Sequence, residues 1–354
     1  MFLRTCWYVA ALAHEVTRFL PLARQLLGDR VVLFRTLDGE AVALEDRCPH
    51  RYAPLSAGKV GENGISCGYH GMSFDRHGVC VANPTQPGER ISPRAQVRAY
   101  PLVERHGVLW IWMGEASQAD PSRIPAYTYY DAPGWSAETA YLHVSANYLL
   151  LVDNLLDLTH INFVHGDVLG SPDRAAGMIS RTDITDTGVV ERWFSPDAPP
   201  VPAWQGIVNA PWMSGNVDFW MDMYWEPASN MMLDVGITPA GTDRSAGTGI
   251  MNMDCVTPET ATSTHYFYGT ALKASPGDQS TIAFWMRAEA YAFDQDKRMI
   301  EAVQGNMGEA WDILAMDTVI NKGDRAALHA RRTLRKLIAA QNETQGDASL
   351  ALTA

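Results

Sequence analysis

Two short runs, Cys48-Pro49-His50 and Cys67-Gly68-Tyr69-His70, constrain this chain more than any other feature. They make a C-x-H…C-x2-H pattern with sixteen residues between His50 and Cys67. Four thiolates would suit an ordinary [2Fe–2S] cluster. Two Cys–His pairs instead fit a cluster with two thiolates on one iron and two imidazoles on the other, and the loss of anionic ligands raises its potential. A Cys2His2 zinc site uses the same ligand types, but its spacing groups Cys with Cys and His with His. Here each Cys is paired with a His. Arg51 and Pro54 follow the first pair, and Gly71 and the apolar Phe74 follow the second.

The first third reads as β-rich. Residues 30–35 and 41–45 are short apolar runs split by Leu37-Asp38-Gly39, and residues 97–104 and 107–112 form another strand pair around Arg105-His106-Gly107. The two ligand runs fall between these pairs, so a small antiparallel domain presents both loops at one end. The polar, turn-forming stretch after Gly114 ends it, which divides the chain into residues 1–115 and 116–354.

Composition narrows the function class. A net charge of -12 with no basic stripe argues against nucleic acid. No apolar run reaches the roughly 18–20 residues of a membrane span, and Met1–Trp7 lacks a signal-peptide layout. Five cysteines, two of them claimed by the cluster, point to no disulfide framework and to a reducing cytoplasm.

A second constellation lies in residues 153–165. Asn154, Asp157 and His160 recur every three residues, so a helix places them on one face. His160 and His165 are five apart, about 140° on a regular helix, and can share a metal only if the helix ends or bulges between them. Gly166 favours such an end. Two imidazoles with one carboxylate form the facial triad of ferrous oxygenases. Asp294 and Asp296, in a long helix expected over 279–304, are the candidates for the carboxylate, and only one of them can face the site.

Here the chain resembles the Rieske non-haem iron aromatic oxygenases. It is most similar to the branch of vanillate and dicamba O-demethylases and toluenesulfonate methyl-monooxygenase. The likeness runs through Cys6–Ala11, the two cluster runs, Trp110–Trp112, Leu151–His160, Thr257–Thr260 and Met299–Ala302. It implies an α+β architecture: an N-terminal antiparallel β Rieske domain, then a catalytic domain of antiparallel sheet covered by helices, helix-grip-like. Cys48, His50, Cys67 and His70 would hold the [2Fe–2S] cluster. His160, His165 and Asp296 would hold mononuclear Fe(II), the acid being the last in Ala292-Phe293-Asp294-Gln295-Asp296. Asp157 would bridge a cluster histidine of a neighbouring subunit and an iron histidine of its own, with Asn154 near the iron.

The resemblance further implies a homotrimer and a separate ferredoxin and/or flavin reductase passing electrons from NAD(P)H. The chain shows no dinucleotide-binding fingerprint or reductase cluster of its own. The implied reaction is oxidative O- or N-demethylation of a small aromatic compound with O2, releasing formaldehyde. A ring or methyl hydroxylase or dioxygenase would use the same metals with another pocket. A Rieske electron carrier would need only about the first 115 residues and leave His160 and His165 without a purpose. Residues 216–272 alternate apolar and polar as a half-buried sheet does and are expected to line the pocket. Asp234 and Asp254, standing where family members place neutral or basic groups, point away from a benzoate and toward a neutral or amine-like guest. An inward Arg287 would reverse that inference.

Overall fold

The computed structural model describes residues 1–170, 177–273 and 279–351. The chain forms two compact units, Phe2–Pro125 with Thr257–Thr260, and Ala126–Val256 with Ala261–Ala354.

In the first unit, turn chemistry cuts the apolar runs into three small antiparallel sheets. Asp29–Arg35 and Ala41–Glu45 pair as the pattern predicts, closed by Thr36 N–H donating to Glu40 O at 2.9 Å. Arg105 faces Val108 across a two-residue turn in which His106 and Gly107 have φ of 60° and 76°. Positive φ at both positions matches the right-handed strand twist. Trp7–Leu12, buried at all six positions, adds a strand against Val108–Trp112. The third sheet pairs Gly64–Ser66 with Ser73–Phe74, and residues 67–72 are its connecting loop. Val32, Phe34, Leu44, Leu55, Ile65 and Phe74 pack beneath Cys48 and Cys67.

The boundary expected at residue 115 falls at the start of two 3-10 turns, Ala116–Gln118 and Pro121–Arg123. The compact unit continues through both to Pro125. Trp7 Nε1 donates to Asp120 O at 2.8 Å and Arg123 Nη2 to Thr5 O at 3.4 Å, which ties this segment to the first strand.

The second unit is built on a seven-stranded antiparallel sheet. In spatial order its strands are Trp135–Val144, Thr264–Lys273, Thr248–Pro258, Asn230–Pro239, Val217–Glu226, Val189–Ala198 and Ile179–Ile184. Successive side chains point to opposite faces. Met221 and Met223 therefore share one face with Val235 and Leu233 across the register, and Leu233 pairs with Asn252. Trp220, Asp222 and Asp234 take the other face. There the buried Asp222 accepts from Arg192 at 2.6 Å and Arg244 at 2.9 Å. Trp220 lies across paired Gly236 and Gly249, where a Cβ on Gly236 would sit 2.1 Å from its ring.

Helices cover the face carrying Met221. The longest, Gln279–Met307, runs almost a turn past the expected end. Its Trp285, Glu289, Phe293 and Asp296 recur at helical spacing and form one stripe. Tyr148–Leu156 carries Asp153, whose carboxylate takes bidentate bonds of 2.6–3.0 Å from Arg331 of the Arg325–Ala351 helix. Among the described residues no helix is long and apolar enough to cross a membrane.

Candidate active site

The two cluster loops repeat one backbone design. Cys48 N–H donates to Ala53 O and accepts at its carbonyl from Tyr52 N–H, both at 2.8 Å. Cys67 N–H donates to Met72 O at 2.8 Å and accepts from Gly71 N–H at 3.0 Å. The fifth residue of each loop has positive φ, Tyr52 at 57° and Gly71 at 76°. At Gly71 a Cβ would come within 2.7 Å of Pro84. The loops cross-pair in space: the Cys48 and Cys67 thiols meet inside, where burial raises the Cys48 pKa. The His50 and His70 rings meet at the surface, centroids 4.5 Å apart. A sulfur pair beneath a nitrogen pair is the donor arrangement of a two-iron cluster with unlike ends.

Asp157 breaks the helix ahead of the second site. Asp competes with a helix by bonding nearby backbone, and here its Oδ1 accepts from Thr159 N–H at 3.1 Å and Thr159 Oγ1 at 2.7 Å. The helix ends at Leu156, a 3-10 turn spans Leu158–His160, and one α-turn, Ile161–Val164, follows. This break brings the two imidazoles to face one group. Asp296 sets Oδ2 3.1 Å from His165 Nε2 and Oδ1 3.4 Å from His160 Nε2. Asn154 Nδ2 donates to Asp296 Oδ1 at 3.1 Å.

The far nitrogens are held as well. His160 Nδ1 lies 2.7 Å from the Asp157 carbonyl, and His165 Nδ1 lies 2.8 Å from Gln295 Oε1. Gln295 Nε2 reaches Asp167, as does the Tyr291 hydroxyl. Partners of this kind orient metal-ligating imidazoles. Burial opposes a positive charge on His165, but Asp296 outweighs it and raises the imidazole pKa. A carboxylate between two imidazoles attracts a cation. Among the described residues His160, His165 and Asp296 are the set whose donor atoms all lie within 4.8 Å of one another.

These three residues line a cavity of about 60 Å³. Its wall is otherwise mostly apolar: Phe219, Met221, Met223, Leu233 and Val235 from the sheet, Leu155, Leu158, Trp204, Trp285 and Phe293 from the helical side. Three further polar residues enter it, Asn252, Asp254 and Glu289. Glu289 is fully engaged, accepting from Trp285 Nε1 at 2.6 Å, Asn252 Nδ2 at 2.5 Å and Thr270 Oγ1 at 2.6 Å. Asp254 Oδ1 accepts from the Tyr266 hydroxyl at 2.6 Å. Burial pushes each of these carboxyls up to about 7.

Those raised values make stability depend on pH. Above the unfolded-state pKa near 4 and below the folded value near 7, the native state holds more protons than the unfolded chain. Stability therefore falls as pH rises through that window and levels off above it, by roughly 3 kcal/mol for Glu289. Glu289→Gln fits the same contacts if its amide turns toward the Thr270 oxygen. Urea unfolding at pH 5 and pH 8 should show a flatter pH slope in the variant than in the parent. An unchanged slope would place the proton elsewhere.

Comparison with known proteins decides the family. Residues 6–101 match the Rieske [2Fe-2S] domain, and residues 144–340 match the vanillate O-demethylase oxygenase C-terminal domain. The chain is 39% identical to the putative toluene-4-sulfonate monooxygenase system iron-sulfur subunit TsaM2 of Comamonas testosteroni, covering 97% of this chain and 99% of that one. It is 33% identical to the oxygenase component of dicamba O-demethylase from Stenotrophomonas maltophilia, over 95% and 98%. The crystal structure of dicamba monooxygenase bound to dicamba superposes with a TM-score of 0.88 at 32% identity, over 97% and 99%. The chain belongs to the Rieske oxygenase family. It is an oxidoreductase of a family that carries a Rieske cluster and a mononuclear non-haem iron.

The structure of this Rieske oxygenase brings together His160, His165, Asp296 and Asn154, and it separates Asp294, which is exposed and paired with Arg298. Asp157 differs from expectation. Its backbone carbonyl, not its carboxylate, meets His160, because the carboxylate caps Thr159 and lies against Gly323. The helix break also means that Asn154, Asp157 and His160 do not share one helical face.

Of the pocket candidates, Asp254 alone lines the cavity. Asp234 sits on the opposite face, bonded to Trp220 Nε1 at 2.9 Å. Arg287 is exposed. Glu289 and Asn252 were not foreseen. The signal for Glu289 was its place between Trp285 and Phe293, four residues from each, on the stripe that ends at Asp296.

Proposed function

We propose that this oxygenase is the terminal component of a multicomponent monooxygenase that oxidatively demethylates a small aromatic ether or amine. The observation that supports this reading best is the apolar, aromatic-walled cavity whose lining includes both imidazoles and the carboxylate of a 2-His-1-carboxylate set. In this reading Cys48, His50, Cys67 and His70 hold the cluster, and His160, His165 and Asp296 hold the iron. When bound, the iron supplies reductive activation of dioxygen and the cluster supplies electrons singly.

The chain's own residues do the rest. Asn154 steadies Asp296, while Gln295 and the Asp157 carbonyl fix the two rings, so the donors keep one orientation through turnover. The apolar wall excludes water and holds the substrate methyl toward the His160, His165 and Asp296 end. The net reaction takes R–O–CH3, O2, two electrons and two protons to R–OH, formaldehyde and water. Electrons come from NAD(P)H through a separate reductase, with or without a ferredoxin, and the working unit is a cytoplasmic homotrimer.

The experiment is turnover with a surrogate reductase across methoxy- and N-methyl-arenes, assayed for formaldehyde. A retained alcohol or a diol would replace this reading with that of a hydroxylase. Asp157 offers a second prediction. Its Oδ2 accepts from no group among the described residues, which leaves it for a cluster imidazole of a neighbouring subunit. Asp157→Asn keeps the Thr159 cap and removes the charge. Cluster and iron contents should stay near normal while turnover falls roughly 10–100-fold. Normal single-turnover reoxidation of the cluster would take Asp157 out of the electron route.

A further inference from the structure

We infer that Asp254 is the substrate-recognition group of the cavity and that it selects an aromatic compound carrying a protonated amine. The inference rests on reading the cavity as the substrate site, and it names the chemical class that site takes.

The argument starts from what the cavity offers. Among the described residues its wall holds no Lys or Arg, so a carboxylate substrate finds no counter-charge among them. Trp204, Phe219, Trp285 and Phe293 present ring surface, which attracts cations as well as aromatic guests. Of the two acids away from the iron set, Glu289 is saturated by three donors. Asp254 is not. It is 1% exposed, its Oδ1 takes one bond from Tyr266, and its Oδ2 accepts from no group among the described residues.

A buried carboxyl oxygen without a donor is unfavourable until something supplies one. The sheet register sets Asp254 on the cavity side, two residues along its strand from Asn252. Tyr266, its one donor, packs on Phe293 with ring centroids 5.3 Å apart, and Phe293 precedes Asp296 by three residues on the same helix. An ammonium at Asp254 and a methyl group at the His160–His165–Asp296 end therefore occupy one continuous cavity. Burial, which raises the Asp254 pKa in the unliganded protein, would be offset by the positive charge of such a guest.

The test is calorimetric binding to the metal-loaded protein at neutral pH. The probes are N,N-dimethylbenzylamine, its uncharged carbon isostere isobutylbenzene, and 4-methoxybenzoate. The amine should bind tighter than the isostere by roughly tenfold to a hundredfold, as a charge-assisted hydrogen bond provides, and the benzoate weakest. Asp254→Asn should erase the amine preference and leave the isostere unchanged, with cluster absorbance and iron content confirming the fold. Equal binding of amine and isostere by the parent protein overturns the inference without any variant, as does a preference that survives Asp254→Asn or a benzoate that binds best. Formaldehyde is measured separately. Amine preference without formaldehyde from any probe defeats the demethylase reading and spares this one. Formaldehyde without amine preference does the reverse.

Discussion

Asp296→Ala is expected to lose mononuclear iron and all turnover while the cluster absorbance remains. Iron content should fall by about one atom per chain, because two imidazoles alone bind a divalent metal far more weakly than two imidazoles and a carboxylate. Asp294→Ala is the control. Its carboxylate is solvent-exposed and engaged with Arg298 one turn away, so both metals and most of the activity should persist. Metal analysis of the two purified variants decides the matter. If Asp294→Ala loses iron and Asp296→Ala keeps it, the stripe running from Trp285 to Asp296 does not face the metal. Because Asn154 donates to Asp296, Asn154→Ala should show a milder version of the same loss.

Asp153→Ala should be the most damaging substitution for the fold among the ion pairs described. Arg331 is 2% exposed and gives three of its hydrogen bonds to Asp153, with Asp312 at 3.7 Å as its remaining acid. Removing one partner of a buried pair leaves the other charge without compensation, at a cost of about 3–5 kcal/mol. The presence of Asp312 places this case near the lower figure. Replacing both residues together, as Asp153→Leu with Arg331→Met, should recover much of the loss, since apolar groups need no partner there. Urea unfolding of the single and double variants measures the difference. A single variant within about 0.5 kcal/mol of the parent would mean that the pair contributes little.

Much of this was legible from residue types at fixed spacing. The convergence of the two Cys–His loops was, because thiols and imidazoles so spaced have few other uses, and the turn at residues 106–107 was, because a glycine in a two-residue gap leaves little choice of backbone. The meeting of His160 and His165 was legible together with the condition on it, that the helix end between them. What broke the helix was less visible: a single Asp bonding to Thr159 two residues on. Facing was the other hidden variable. Asp234 and Asp254 look alike in sequence, but Leu233 and Val235 turn inward and so turn Asp234 out, whereas Asp254 shares parity with Asn252. Arg287 lies two residues before Glu289, about 200° around the helix, and points outward when Glu289 points in. Glu289 itself resembled a solvated acid in a helix rich in charge.

The pleat of the central sheet has a consequence for how such an enzyme can change. Along Val217–Glu226 the odd positions Met221 and Met223 line the cavity, and the even positions Trp220 and Asp222 anchor the sheet through Arg192 and Arg244. Mutational drift can therefore sample new guests at every second residue while the fastening on the far side stays intact. Selection for a new substrate and selection for foldability act on interleaved, nearly independent alphabets. A directed-evolution library confined to Met221, Met223, Leu233 and Val235 should accordingly retain a high fraction of folded members. An insertion of one residue in that strand would exchange the two alphabets and lose both at once.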